Sequence, residues 1–312
     1  MASFNSQRNA IQADAEAAVT EYDYHFMEAY AAMPDPWAQD FARVRDTQKV
    51  IQRWPVDLSS PGFTKFRGTP KYRTLSEKFF DLEIAVFDDG VEELAKKVAD
   101  VDFVGFATQP AKMAKEAKRL INKLAASALG AGHTQVCWDG TEFFKASGKP
   151  VNPLDPNAGT YGNYFTNLPL NETNLITVLK DIATRKGPNG ESLGLMGTHL
   201  MVPTDLYETA RILIELPLGS GGAGSTNPVF NRLKVVKCDE LASGYWYVVH
   251  QEMGYEPLVV STQNGGAPET EVLGVDSHLY KQKGRMVGWH AYMDVAVGLA
   301  LPWAVTKVKT TA

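Results

Sequence analysis

The run Gly219-Ser-Gly-Gly-Ala-Gly224 reproduces the G-x-G-x-x-G spacing with which a dinucleotide-binding loop approaches a pyrophosphate. That chemistry needs a strand before the loop and a helix N-terminus after it, whose N–H groups face the phosphates. Here a helical stretch ends at Pro217 and Ser-Thr-Asn-Pro follows, so the run reads as a surface loop. Six histidines stand at 25, 133, 199, 250, 278 and 290, and none lies four residues from another. His133 and Cys137 are four apart, but the Thr-Gln-Val between them reads as a strand and no second pair completes a zinc set. Asp88 and Asp89 would suit paired-carboxylate work, yet Asp-Asp-Gly90 reads as a turn and helix cap. A G-x-S-x-G nucleophile elbow is absent. No catalytic residue, cofactor or metal is expected from these motifs, which lowers the odds of an enzyme but does not exclude one, since acids and bases can converge from anywhere in a chain.

The bulk composition fits that expectation. With 312 residues, 44% hydrophobic and 21% charged, the chain can bury a large core as one big domain or two modest ones. Cys137 and Cys238 are too few for a disulfide framework and fit a reducing compartment. No run approaches the ~20 apolar residues of a membrane span, so no membrane partner is expected. Met-Ala-Ser-Phe-Asn lacks the plan of a signal peptide, and a soluble intracellular product is expected.

The charge is informative once located. The net charge is -5, and residues 1–36 hold that whole excess: Arg8 against Asp14, Glu16, Glu21, Asp23, Glu28 and Asp35. Residues 43–73 then carry eight bases (Arg43, Arg45, Lys49, Arg53, Lys65, Arg67, Lys71 and Arg73) and only Asp46 and Asp57 as acids. An acidic segment precedes a basic one, and such an asymmetry speaks to partners.

The acids lie on an expected helix over 7–31, with Ile11, Ala15, Ala18, Tyr22, Phe26 and Tyr30 as its apolar stripe, Ser6 as cap and Pro34 and Pro36 as its end. Such a helix is ~37 Å long. The bases lie on an expected hairpin of 49–58 and 72–87, with a Gly/Pro-punctuated tip over 59–70. A continuous strand over 72–87 would span ~53 Å, far beyond the usual ~20 Å and comparable with the ~50 Å diameter of a compact chain of this length. It should project. After Gly90 a short helix over 91–99 is expected, then a long one from Pro110 to Leu129. Its apolar stripe is Met113, Ala117, Leu120, Ile121, Leu124 and Ala128; Lys112, Lys115, Arg119 and Lys123 line the other side, and Gly130 and Gly132 stop it. Beyond residue 133 a loop-rich stretch (140–167) wraps a surface. Helices follow over 171–185 and 204–216, the second capped by Thr204, with strands over 199–203, 233–238 and 245–250 and returning strands over 284–302. The class is α+β.

Several blocks in this order carry a resemblance: the acidic helix, the basic hairpin, Leu129-Gly-Ala-Gly132, Cys137-Trp-Asp-Gly-Thr-Glu-Phe-Phe144, Gly162-Asn-Tyr-Phe-Thr-Asn-Leu168, Leu200-Met-Val-Pro-Thr-Asp-Leu206 and Asn227-Pro-Val-Phe-Asn-Arg-Leu233. Together they resemble the major head subunit of Mu-like tailed bacteriophages, over roughly residues 40 to 310. The histidine that some relatives carry after Phe-Phe is replaced by Lys145-Ala-Ser-Gly. The resemblance implies an HK97-like capsid fold: an N-terminal arm (1–45), an extended β-hairpin loop (46–88), a peripheral domain with a spine helix (89–140), an axial domain (141–274) and strands returning to the peripheral domain (275–312). It implies a major capsid protein of the virion, not an enzyme, assembled in the host cytoplasm as pentamers and hexamers around double-stranded DNA, with portal, scaffold or decoration proteins as partners. Subunit contacts are expected at Glu16, Glu21 and Asp23 of the arm and at Arg53, Trp54, Phe63, Lys65, Phe66, Arg67, Lys71 and Arg73 of the loop. Lys112, Lys115, Arg119 and Lys123 are the expected genome-facing bases. Covalent cross-linking through Lys65 or Lys71 is not expected. Three alternatives remain open: an encapsulin-type compartment around a protein cargo, an enzyme with a mobile arm, and a tail-tube protein.

Overall fold

Apolar residues at helical spacing decide the first element. A computed structural model describes residues 2–58, 77–99, 104–217 and 227–311, together with Lys65, Gly68 and Tyr72. Helix α1 runs Ala2–Ala32 and buries Ala15, Val19, Tyr22 and Phe26. Ser6 lies inside it and is no cap: residues 2–6 contain neither Gly nor Pro, so nothing stops the helix from extending to Ala2. It ends ahead of Pro34, because the residue before a proline disfavours the helical region.

The basic hairpin departs from expectation. Strand β1 (Ala42–Asp46) pairs in parallel with Leu258–Thr262. Strands β2 (Ile51–Asp57) and β3 (Glu77–Glu83) form an antiparallel hairpin from Ile51↔Glu83 to Asp57↔Glu77. The chain then changes partner at Ile84, and β4 (Ala85–Leu94) runs along Met286–Leu299. One continuous strand over 72–87 does not form. Its apparent alternation fails because Ile84 is buried while Val86, nominally on the same face, is 66% exposed. The base of the hairpin lies on its own chain: Gln52, Trp54 and Val56 face inward, and Trp54 Nε1 donates to Ser261 Oγ at 3.0 Å. The expected tip falls outside the described residues except at Lys65 and Gly68.

Asp88-Asp89-Gly90 is not a turn but the middle of β4, and helix follows only at Ala95–Val98. Gly90 is there for close approach: a Cβ would meet Trp289 O and His290 Cδ2 at 3.0 Å. The long helix runs Val104–Ala131, so Pro110 sits inside it rather than at its first position. Gly132 does not end that helix through a left-handed backbone. A Cβ there would meet Phe144 Cδ2 at 2.9 Å and Leu299 Cδ1 at 3.0 Å, so the glycine lets the helix end touch the sheet.

Two mixed sheets result. In the first, Leu258–Thr262 lies between β1 and the central strand Met286–Leu299, which also pairs with β4 and Glu269–Leu273. In the second, the order is Tyr164–Phe165, Val305–Lys309, Tyr245–Val249, His199–Val202, Lys234–Lys237. Val305–Lys309 thus ends in the second sheet, while Met286–Leu299 returns to the first. Helices Glu172–Ala183, capped by Asn171, and Thr204–Glu215 complete the α+β fold. Thr204 does not cap; its hydroxyl donates to Asp239 Oδ1 at 2.6 Å, and Pro203 precedes the helix. The loop-rich stretch does more than wrap a surface, for Phe143 and Phe144 are core residues.

The long helix and the second sheet meet at Lys307. Its fully buried ammonium donates to Leu129 O at 3.0 Å and Gly130 O at 2.8 Å, and lies 3.2 Å from His133 Nδ1. The last carbonyls of a helix lack internal partners and present the negative end of its dipole, so a cation suits them. Tyr245 and Phe144 add ring faces at 4.6 and 5.5 Å. Burial pushes the ammonium down to about 8, which leaves it charged at neutral pH. An unfolded lysine titrates near ~10.4. Between those values the unfolded chain keeps a proton that the folded chain has released, so this group makes stability rise with pH across the window. Lys307→Met should remove that slope. In urea melts of unassembled subunit, wild type should gain on the variant by up to about 1.4 kcal/mol per pH unit above pH ~8. A gap that stays flat would mean that Lys307 titrates like an exposed lysine.

Candidate assembly surfaces

The packing of α1 sorts the arm carboxylates into three environments. Glu16 is exposed and lines a shallow cavity with Thr20, Glu271 and Asp276, of which Asp276 also lies 3.5 Å from Lys281 Nζ, so the cavity is negative on balance. Asp23, about two turns further along the same side of the helix, accepts from Trp289 Nε1 at 2.8 Å. It is half-buried and one of its oxygens is engaged within its own chain. Glu21 lies on the open flank with Glu28, each 3.5 Å from the His25 ring between them. Tyr24 and Met27 are exposed on the same side.

The basic segment is partly neutralised from within. Arg43 pairs with Glu256 at 3.2 Å, and the Arg45 guanidinium lies 4.9 Å from the Trp54 ring centre. Arg53 grips Asp81 with two bonds, of 2.8 and 3.0 Å, which holds the Asp81 carboxyl below the usual carboxylate range. Trp54, expected at a subunit contact, is 1% exposed and belongs to the chain's own core. An indole in a basic hairpin offers no sequence signal that separates these roles. The exposed face of the hairpin base carries Asp57, Glu77 and Glu83 beside the Arg53–Asp81 pair and is acidic on balance. Lys65 is exposed; Phe63, Phe66, Arg67, Lys71 and Arg73 lie outside the described residues.

The basic stripe of the long helix also divides. Lys112 and Lys115 are exposed, with no ion-pair partner among the described residues. Arg119 reaches Glu240 at 2.8 Å and Glu116 at 3.3 Å. Lys123 pairs with Glu116 and is the main cause of that carboxyl's lowered pKa. Arg119 and Lys123 are thus both paired with carboxylates of the same chain.

The block Cys137–Phe144 is a locked turn. Gly140 N donates to Cys137 O at 3.0 Å, and Asp139 takes the Thr141 N–H at 3.0 Å. Lys149, fully buried, pairs with Asp139 at 2.6 Å and donates to Glu142 O at 2.9 Å. Burial pushes the Cys137 thiol up to about 12, the opposite of an activated nucleophile. Sequence reasoning missed Lys149, Lys307 and Arg185; the last donates to Trp303 O at 2.7 Å and pairs with Asp181 at 2.6 Å. Among the described residues no group of three or more His, Cys, Asp or Glu side chains could hold a metal ion. No described helix is long and apolar enough to cross a membrane. Gly219–Gly224 lies outside the described residues.

This arrangement of sheets and long helix is that of phage shells. The structure is similar to the procapsid of bacteriophage JBD30, at 13% identity and TM-score 0.50, over 93% of this chain and 73% of that one. It is similar to the JBD30 capsid decorated with minor capsid protein trimers, at 15% identity and TM-score 0.51, over 68% of this chain and 92% of that one. The mature capsid of bacteriophage PhiM1 matches at 12% identity and TM-score 0.56, over 89% and 87% of the two chains. No curated protein matches the sequence. The model of a phage capsid protein family matches residues 93–308, more than half of the chain, and that of the Mu-like prophage major head subunit gpT matches residues 16–168. The chain belongs to the phage capsid protein family and is a structural, non-enzymatic subunit: a major capsid protein that forms the phage head shell.

Proposed function

We propose that this subunit closes its shell by passing its extended loop over the acidic flank of a neighbour's arm. The observation that carries the reading is a split in charge along the hairpin. The base is docked on its own chain through Trp54 and faces outward with acids. Residues 59–76, in contrast, carry Lys65, Arg67, Lys71 and Arg73 and no acid. Four bases in a segment whose own sequence holds no acid suit a surface on another copy, and Glu16 and Glu271, with Asp276 beside them, offer one. Complementary charge of this kind steers encounter and weakens with salt. Phe63 and Phe66 supply apolar area to the same contact.

In this reading the arm is 1–45, and the loop starts at 46 and ends at Ile84, where the chain enters the first sheet. The long helix and first sheet form the peripheral domain, residues 141–274 form most of the axial domain, and 275–312 supply strands to both sheets. Pentamers and hexamers build the shell, which encloses double-stranded DNA. Lys112 and Lys115, lacking ion pairs within the described chain, face that DNA. A portal completes the particle, with scaffold or decoration proteins as further partners; the decorated JBD30 capsid is a precedent for the last.

Negative-stain electron microscopy of the purified chain should show closed shells at low salt and fewer at high salt; a strict monomer in both would overturn the reading. Glu16→Lys should reduce shell yield several-fold while circular dichroism stays unchanged, and undiminished assembly would remove the arm contact. Particles bearing Lys112→Gln with Lys115→Gln should hold less DNA at equal shell yield, whereas normal filling would turn that face away from the genome.

A further inference from the structure

The start of α1 borders a cavity of about 330 Å³ that neither the loop contact nor the genome-facing stripe uses. Its apolar lining comes from Ile11, Leu94 and Tyr280, and its rim from Arg8, Lys96 and Arg285. Gln12 Nε2 donates to Tyr280 OH at 2.8 Å and Ala95 N to Arg285 O at 3.0 Å, so the walls are fixed to one another. All three bases are exposed and have no ion-pair partner among the described residues, and Leu94 is 44% exposed. Cations around an apolar floor ask for a ligand that brings both carboxylates and apolar side chains. A DNA backbone brings only the charge.

The same helix carries a matching surface. On its open flank Glu21, Tyr24 and Glu28 share one face with Met27 at its edge, and Tyr24 is 64% exposed. This face lies opposite the buried stripe of Val19, Tyr22 and Phe26. Residues 8 and 28 are ~30 Å apart along a helix rising 1.5 Å per residue. A rigid α1 therefore cannot bring its acidic face into its own basic groove, but it can enter the groove of another copy.

We propose that the Glu21–Glu28 face of α1 docks in the Arg8, Lys96 and Arg285 groove of a second copy of this chain, as a head-to-tail contact. Such a contact is heterologous: repeated, it closes a ring when the rotation fits and so belongs within or between capsomers. It rests on the shell-forming role of the subunit and uses a flank of α1 different from the Glu16 flank assigned to the loop.

Charge exchange tests it. Glu21→Lys with Glu28→Lys should lower shell yield about tenfold through like-charge contact with the groove. Arg8→Glu with Lys96→Glu should do the same. All four changes together should restore yield to within about twofold of wild type, because the opposite charges face each other again. Failure to restore in a chain with unchanged circular dichroism would overturn the docking, as would either pair assembling normally. Loss of DNA content with shell yield intact would make nucleic acid the occupant instead, and would also overturn it. Should a charge variant fold poorly, Glu28→Cys with Lys96→Cys gives a direct readout. Oxidised shells should run as a ladder of cross-linked chains on a non-reducing gel, with neither single variant doing so; shells without a ladder defeat the proposal. If wild type forms no shells at all, the shell-forming role fails first, and the two failures stay distinct.

Discussion

The junction of the long helix with the second sheet turns on one of the buried cations, Lys307. Lys307 enters from the last strand and meets the carbonyls that end the long helix. Taking an ammonium out of water costs several kcal/mol unless its donors are used. Here two carbonyls, a histidine nitrogen and the rings of Tyr245 and Phe144 surround it. The contact fixes the helix end against the second sheet, while Gly132 lets the same end touch Phe144 and Leu299. At its other end the long helix holds α1 through Met113, whose sulfur takes the Tyr22 hydroxyl at 2.9 Å. Arm, long helix and both sheets are thereby fastened in series, and the surfaces on α1 and the groove at its start keep fixed positions relative to the body.

Internal pairing decides which charges remain for partners. Arg43, Arg53, Lys118, Arg119 and Lys123 all have carboxylates on the same chain. Exposed pairs of this kind contribute little stability. Their consequence is subtractive: they remove bases from an apparently basic segment and an apparently basic helix face. Among the described residues, the Arg8, Lys96, Arg285 rim and the Lys112, Lys115 pair belong to the exposed bases that keep no carboxylate partner, as do Lys49, Lys180, Lys186, Arg232 and Lys234. A repeating shell does not need strong individual contacts, since neighbours engage several of them at once and linked contacts multiply.

The helices were legible in the sequence because 3.6-residue periodicity marks a face that must be buried. The α1 stripe and the long-helix stripe are both found inward, and the helix expected over 171–185 forms as Glu172–Ala183. The sheets were harder. A strand reads the same whichever strand it pairs with, so the switch at Ile84 from β2 to Met286–Leu299 left no mark in a run that alternates through it. Leu258–Thr262 is buried at every position and lacks alternation altogether. Glycines misled for a related reason: Gly90 and Gly132 have the composition of turns, yet each is dictated by an atom from a distant segment.

At the surfaces, residue type was legible and orientation was not. Glu16, Glu21 and Asp23 are equivalent as sequence; at 100° per residue Glu21 turns to the open flank, while Glu16 and Asp23 stay within ~20° of each other and differ only in what faces them along the helix, Glu271 for one and Trp289 for the other. The buried lysines show the converse. Lys149 and Lys307 sit in strands where a lysine normally marks the solvent side, and only the facing Asp139 and the helix-end carbonyls make burial tolerable. A shell subunit must present charge on defined faces to neighbours on several sides. Its sequence therefore discloses that charge is needed, and its packing alone discloses which charges are free to meet another copy.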